Sequence, residues 1–400
     1  MNQANVVSID YRNPQRGSQH AEMRRRNERS VLSIVRRFEG LSGADIARQS
    51  GLTPQTVSVV LQTLERRGIV GRGQSISVGR GHPVTPIHLK AEGSYGIGVE
   101  IAWHHIEVVL LDLRGRMLAR ERWPIEFPRA ETLIYQIIAL VERILEVIPP
   151  RLLSRVAGLG VAMPTGMHTI FGTMGISREQ EEAFEKLNIV RELDAQLPFS
   201  VFGMSDGTAA CQAEFAYGRG SKFGDAIHIF ISTFVEAGIF VDGRVVEKSS
   251  RDAASIGSFM LQDRKGNIQP LHMITSIKAL EDRLVLAGKK ANLDDPTQWD
   301  WNEIEPEVNA WINESGDGLA LAIANFCTVV EFSAAIVDGT VPGRILERIV
   351  QRVSVTMSKL PITTFDPPVM VRGTIGAGAP AIGAANFPMH LSLFSRKHLD

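Results

Sequence analysis

Residues 42–64 read SGADIARQSGLTPQTVSVVLQTL, a stretch that spells two short helices joined by a tight turn. Ser42 and Asp45 have the spacing of a capping box, a hydroxyl and a carboxylate covering amides that the first helical turn leaves unpaired. Ser50-Gly51-Leu52 makes the turn. Thr53 then serves as N-cap and Pro54 as first helical residue, where a missing N–H costs nothing. Val57, Val60, Leu61 and Leu64 recur at i, i+3, i+4 and i+7 and form one apolar face. The opposite face presents Gln55, Thr56, Ser58 and Gln62, short polar groups able to reach base edges or phosphates, with Val59 suited to a thymine methyl. A winged helix-turn-helix has this pattern, and so does an amphipathic hairpin buried in a larger fold. Charge separates the two.

Residues 1–90 hold 14 Lys and Arg against 6 Asp and Glu, whereas the whole chain has 43 against 44. A basic head is therefore joined to an acidic body, the asymmetry of a nucleic-acid module attached to something else. Thirteen of the 14 basic residues are arginine, which suits bidentate phosphate and guanine contacts. Arg24, Arg25, Arg26 and Arg29 precede an apolar stripe of Val31, Ile34, Val35 and Phe38. That run is read either as a solvated face or as a phosphate contact. Gly79-Arg80-Gly81-His82-Pro83 would let backbone lie close to a narrow minor groove while Arg80 inserts, or would be a plain glycine turn.

Four hundred residues with 44% hydrophobic content can bury two or three cores. Cys211 and Cys327 are the two cysteines, both in apolar runs, which argues for a reducing compartment and against a disulfide framework. The start is polar, and the longest apolar run, 319–337, is interrupted by Asn325 and Glu331, so it reads as a buried helix running into a strand. A cytoplasmic protein without a membrane span is expected.

Beyond residue 90 strands and helices alternate. The runs 96–103, 106–111 and 117–123 suggest an antiparallel meander, followed by a helix over 132–147 and a strand over 156–162. A strand–turn–helix over 199–217 closes the first half. Strands near 226–232, 238–241 and 334–337, a long helical region, and a glycine-rich 373–383 leading into a last helix repeat the theme. Two successive α/β halves predict a two-lobed body with a central cleft.

The order and spacing of these segments resemble the ROK family (repressors, open reading frames, kinases), in its NagC/XylR transcription-factor type. The resemblance covers about residues 25 to 395 and rests on the helix-turn-helix, 95–113, 159–165, 205–214, 229–243, 255–258 and 373–385. It implies a winged helix-turn-helix followed by a two-lobed α/β body of the actin-like, hexokinase-like (ribonuclease H-like) kind. The implied layout is a flexible basic N-terminus over 1–20, a DNA-binding domain over 21–90, a first lobe over 91–206 and a second over 207–400, with the C-terminal helix packing back on the first lobe.

Several departures from the family pattern bear on function. Family kinases open the body with Asp-x-Gly-Gly-Thr, whose glycines admit ATP phosphates. The matching stretch here is Glu100-Ile101-Ala102-Trp103-His104. The second phosphate loop, Gly-Thr-x-x-Gly-Gly-Gly in the family, reads Ser232-Thr233-Phe234-Val235-Glu236-Ala237-Gly238, where Glu236 would repel phosphates. Ser258, Asp263, Lys265 and Pro270 stand where the family places structural zinc ligands, so no zinc or other metal and no cofactor is expected. Of the family's sugar contacts, Asp206 survives; Ser205 replaces an asparagine, Ser255 a glutamate and Ser258 a histidine, while the later glutamate falls near His272. Asp206 is read either as a ligand contact or as N-cap of a helix over 208–217. His272 is read as a ligand contact or as an ordinary satisfied histidine.

Gly203-Met204-Ser205-Asp206-Gly207 also matches the G-x-S-x-G elbow of α/β-hydrolases, with His390 in chain order for a triad, but no oxyanion-type His-Gly-Gly run accompanies it. The expectation is thus a non-enzymatic regulator, a repressor of carbohydrate uptake or metabolism genes. It would bind a pseudo-palindromic double-stranded operator as a homodimer or homotetramer and sense a carbohydrate. Expected DNA contacts are Thr53, Gln55, Thr56, Ser58, Arg72 and Arg80; expected ligand contacts are Ser205, Asp206 and His272. A ligand-independent DNA binder and an ATP-dependent sugar kinase are the alternatives.

Overall fold

The computed structural model describes residues 16–75, 85–246, 255–262, 266–289 and 296–395. It has two compact units, one comprising Met1–Gly93 with His390–Asp400, the other Ser94–Met389.

The first unit opens with α1 (Arg16–Arg37), α2 (Gly43–Ser50) and α3 (Pro54–Arg66). α1 begins inside the stretch read as a flexible terminus. Its seven arginines, with Gln19, Ala21, Glu22, Met23 and Glu28, favour helix. The predicted capping box is present, with Ser42 accepting from the Asp45 amide and Asp45 accepting from Ser42. Gly51 ends α2 at φ 68°, a left-handed conformation that glycine adopts without a Cβ penalty. Thr53 caps α3 through the Thr56 amide. Val31, Leu32, Val35, Ile46, Val57, Val60, Leu61 and Leu64 are buried together in the three-helix core. Phe38 lies past the end of α1 and is exposed, whereas Leu32, outside the expected stripe, is buried. β1 (Val70–Arg72) pairs antiparallel with β2 (Ile87–Leu89) as the wing. Residues 76–84, and with them Arg80, lie outside the described residues.

The second unit holds two five-stranded sheets of the same order. The first contains β3 (Tyr95–Ile101), β4 (His105–Asp112), β5 (Met117–Pro124), β6 (Val156–Met163) and β7 (Val201–Ser205), ordered β5-β4-β3-β6-β7. β3, β4 and β5 are antiparallel, while β6 and β7 join parallel to β3. α4 (Leu133–Leu145) covers one face with Leu133, Ile137, Leu140, Val141 and Ile144. α5 (Arg178–Lys186) and α6 (Ile189–Asp194) precede β7, and α7 (Asp206–Tyr217) follows it directly.

The second sheet contains β8 (Ala226–Ile231), β9 (Val235–Val241), β10 (Arg244–Val245), β13 (Ala334–Gly339) and β14 (Val369–Arg372), ordered β10-β9-β8-β13-β14. Between β10 and β13 come a small hairpin of β11 (Met260–Gln262) and β12 (Ile268–Pro270), then α8 (His272–Thr275), α9 (Ile277–Leu286) and α10 (Glu305–Cys327). α11 (Gly343–Met357) joins β13 to β14, and α12 (Ala379–Leu393) closes the chain. The long apolar run divides as expected into the end of α10 and β13. No helix among the described residues is long and apolar enough to cross a membrane.

α12 packs on the first sheet through glycines. A Cβ at Gly98 would stand 2.0 Å from the Ala381 carbonyl oxygen, and one at Gly160 would stand 2.1 Å from that of Ala384. α7 meets α12 as closely, since a Cβ on Gly383 would fall 1.7 Å from the Ala209 oxygen. These contacts are backbone against backbone, and no side-chain adjustment relieves them. The last turn of α12 belongs to the first unit, where the Arg36 guanidinium lies 4.8 Å over the Phe394 ring. Burial, and then the charge of Arg36, push the His390 pKa down to about 4.

Candidate functional site

The expected site residues fall in two places, one in each unit. In the first, α3 turns Gln55, Ser58, Val59 and Gln62 outward, all exposed, while Thr56 is half-buried. The Thr53 and Thr56 hydroxyls lie 2.8 Å apart, so part of their hydrogen-bonding capacity is spent on the cap. Arg24, Arg25 and Arg26 are exposed on α1. Arg72, at the end of β1, donates from Nε to Glu65 at 2.6 Å, and Arg67 bonds Glu28 at 2.8 Å. Sequence spacing alone does not reveal the Arg72–Glu65 pair, because it joins a helix end to a strand. A phosphate would have to compete with Glu65 for that guanidinium.

The second set of expected residues lies in the body, where β7 runs into α7 and where α8 begins. Ser205 ends β7 and caps α7: its Oγ accepts from the Thr208 amide at 3.1 Å. The cap is therefore Ser205 and not Asp206, because a capping side chain must reach the third amide of the helix. Asp206 opens α7, is 5% exposed, and accepts from the Gly207 amide. Gly207 presses on β9, where a Cβ would stand 2.8 Å from both Glu236 Cβ and the Ala237 nitrogen. His272 opens α8 half-buried, its ring edge-on to Phe234 with centroids 5.6 Å apart. Burial lowers its pKa, and a hydrogen bond with the Gly257 backbone opposes that shift. Ser205 and Asp206 thus flank Gly207, which touches β9, and His272 touches Phe234 in the turn just before β9.

The same turn shows how the phosphate-loop replacements are used. Trp103 follows β3 and Phe234 precedes β9, and their rings meet edge to face at 5.4 Å across the two lobes. Trp103 also packs on Phe171 at 5.9 Å, and Phe171 on Phe184 at 5.2 Å. Trp103 and Phe234 are only 2% and 4% exposed, so the two loops that resemble phosphate loops are joined by buried aromatic packing. Glu100, at the first position of the first loop, faces Glu107 across the β3–β4 ladder. Burial first, and then the nearby Glu100, raise the Glu107 pKa, and Arg120 holds Glu107 at 2.6 Å.

A cavity of about 470 Å³ opens elsewhere in the second lobe, lined by Leu261, Gln262, Met273, Arg283, Glu314 and Asp317 among others. Ser205, Asp206 and His272 do not line it. Ser258 ends a short turn just before the β11–β12 hairpin and Pro270 ends β12, and neither side chain is a thiolate or an imidazole. Asp263 and Lys265 lie outside the described residues.

A helix-turn-helix with a two-strand wing, followed by two lobes of like topology, defines a DNA-binding head on a body of sugar-kinase type. The chain belongs to the ROK family, whose model matches residues 96–389, and a MarR family model matches residues 25–81. It is a ROK-family transcriptional regulator with a DNA-binding helix-turn-helix. It is 23% identical over 372 residues, 92% of each chain, to the uncharacterized protein y4fQ of Sinorhizobium fredii. To the DNA-binding transcriptional dual regulator NagC of Escherichia coli it is 23% identical over 265 residues, 65% of this chain and 64% of that protein. To the xylose repressor of Bacillus subtilis it is 23% identical over 283 residues, 67% of this chain and 70% of that protein. Among solved structures, a ROK family transcriptional regulator homologous to the E. coli MLC protein superposes with a TM-score of 0.69 at 15% identity, over 93% of this chain and 97% of that one. A ROK glucokinase from Streptomyces griseus superposes at 0.56 and 20% identity, over 74% of this chain and 99% of that one. Regulators and kinases of the family therefore share the body's fold.

Proposed function

We propose that this protein is a cytoplasmic repressor of carbohydrate uptake or metabolism genes, whose body senses a sugar or related metabolite and phosphorylates nothing. The observation that carries the second half is the buried Trp103–Phe234 contact, which puts two rings where family kinases keep glycines and variable residues around phosphates. The names of NagC and the xylose repressor support the first half. In this reading α3 lies in the major groove, with Gln55, Thr56 and Ser58 at base edges or phosphates, Thr53 at its phosphate-facing end and Val59 against a thymine methyl. Arg80 enters the adjacent minor groove, and Arg72 with the Arg24–Arg29 run meets phosphates. A homodimer or homotetramer matches a pseudo-palindromic operator. In the cleft, Asp206 and Ser205 accept from or donate to ligand hydroxyls, and His272 closes the far side. A ligand that favours one lobe arrangement then shifts the DNA-binding equilibrium.

The test is Asp206→Asn in the full chain, assayed by calorimetry against a panel of hexoses, amino sugars and sugar phosphates, alongside an ATP-dependent phosphorylation assay of the wild type. A sugar bound by wild type and lost in the variant, with no phosphate transfer, is expected. Phosphorylation of any sugar by the pure protein would contradict the reading. The exchange of family sugar contacts for Ser205, Ser255 and Ser258 favours a second reading, a ligand-independent DNA binder with a scaffold body. No heat and no thermal stabilisation with any sugar would establish it.

A further inference from the structure

Inside the second lobe, two turns along α7 from Asp206, three titratable side chains converge that neither the DNA-binding nor the effector reading uses. Glu214 comes from α7, His228 from the middle of β8 and Asp338 from the C-terminal end of β13, and their ligating atoms all lie within 4.8 Å of one another. They are 0%, 0% and 1% exposed. Sheet geometry explains the meeting. His228 and Ile336 are register partners on parallel strands, so alternation puts His228, Ile336 and Asp338 on the one face that packs on α7.

Their hydrogen bonds leave one function unfilled. Glu214 accepts from the Arg219 amide at 2.8 Å, the Thr374 amide at 3.0 Å and the Thr374 hydroxyl at 3.2 Å. Asp338 accepts from the Gly339 amide at 2.9 Å and the Gly376 amide at 2.8 Å. These donors fix both carboxylates yet leave lone pairs on each. Glycines close the back: a Cβ at Gly218 would stand 2.4 Å from the Glu214 carboxyl, and one at Gly373 would stand 2.5 Å from Asp338 Cβ. Among the described residues no lysine or arginine side chain bonds to either carboxylate, and neither nitrogen of His228 has a hydrogen-bond partner. Two carboxylates and an imidazole without a hydrogen-bond partner, all buried together, form a ligand set suited to a cation.

We propose that Glu214, His228 and Asp338 bind one divalent metal ion of the zinc class, through one imidazole nitrogen and two carboxylate oxygens. One nitrogen and two oxygens suit such a borderline ion, and the absence of thiolate sets the site apart from the family's cysteine-rich zinc loop. A tetrahedral ion wants four ligand atoms about 3.3–3.5 Å apart, so binding draws the three side chains inward from their 4.8 Å span and takes its fourth donor from a second carboxylate oxygen or a water. The Arg219, Thr374, Gly339 and Gly376 donors are the outer partners that orient the carboxylates. The ion ties α7, β8 and β13 to the turn that leads into α12, so its role is to hold the second lobe together.

The experiment uses the untagged full chain, loaded with Zn²⁺, dialysed against metal-free buffer and analysed by elemental mass spectrometry. About one equivalent retained per chain is expected. His228→Gln and Asp338→Asn should lower the retained metal at least tenfold while circular dichroism stays that of wild type, and Thr374→Val should weaken affinity about 10–100-fold. If those variants do not fold, Co²⁺ loading of the wild type decides, with an intense visible d–d band expected from a low-symmetry nitrogen–oxygen site. No retained zinc in the wild type, retention unchanged in folded variants, or a Co²⁺ spectrum of the hexa-aquo ion would each overturn the proposal and leave a buried water as the partner of His228.

Discussion

Replacing Trp103 by glycine restores the residue type that the resemblance places in the first phosphate loop, and its outcome separates a plugged cleft from an open one. Trp103 is 2% exposed, so truncation loses a whole buried indole, about 3–5 kcal/mol for a large aromatic. That figure includes two edge-to-face contacts, to Phe171 at 5.9 Å and Phe234 at 5.4 Å, each contributing about 0.5–1.5 kcal/mol beyond burial. Against it stands Nε1, buried without a partner, whose removal relieves about 1–3 kcal/mol. The midpoints of these two ranges leave a net cost of about 2 kcal/mol. Trp103→Phe keeps a ring and sheds the orphan donor, so it should cost less than about 1.5 kcal/mol. Urea titration reads both, because the four remaining tryptophans, Trp123, Trp299, Trp301 and Trp311, all lie in the body unit. MgATP should stabilise neither variant, since Phe234 and Glu236 still occupy the second loop. A glycine variant within about 0.5 kcal/mol of wild type would refute the packing argument, and stabilisation by MgATP would refute the claim that both loops have lost phosphate.

Four further outcomes follow from named contacts. Glu65→Gln frees Arg72 for a phosphate and should steepen the logarithmic salt dependence of DNA binding by up to about 0.9; an unchanged slope would mean Arg72 does not reach the backbone. Thr53→Ala removes the α3 cap and should lower the stability of the head by about 1 kcal/mol, measured by hydrogen exchange in α3. His390, held down to about 4 by burial and Arg36, is neutral in the folded state and takes up a proton on unfolding below its ordinary value of 6.5. Its contribution is complete above pH 6.5 and is lost as pH falls toward 4, about 3 kcal/mol in all, and His390→Leu should flatten that acid limb of hydrogen exchange in α1. Gly383→Val drives a side chain into the Ala209 carbonyl and should leave no folded body by circular dichroism.

Features set by near neighbours were legible from the chain alone. The Ser42–Asp45 box, the Gly51 turn and the Thr53-Pro54 start need only residues within one helical turn, and the structure places them as read. The strand-rich openings of both lobes were legible for the same reason, although β9 begins at Val235, three residues before the expected strand, because Phe234 anchors the turn in the first lobe's core. What depends on distant partners was not legible. The loss of glycine at Trp103 shows in sequence, but that its ring would meet Phe234 does not. The Arg72–Glu65 pair spans a helix end, and the cap reading of Asp206 fails because α7 begins at Asp206 and Ser205 reaches the Thr208 amide. Glu214, His228 and Asp338 share no spacing that a motif search could find, and only the register of β8 with β13 brings them to α7.

The most direct test of the account is fluorescence anisotropy of the purified protein on DNA from upstream of its own and neighbouring genes, at two salt concentrations, with and without the sugar panel. Tight, salt-dependent binding to one fragment is expected, weakened by Gln55→Ala and Ser58→Ala and released by one sugar. Binding of equal strength to every fragment, untouched by those two substitutions, would contradict it.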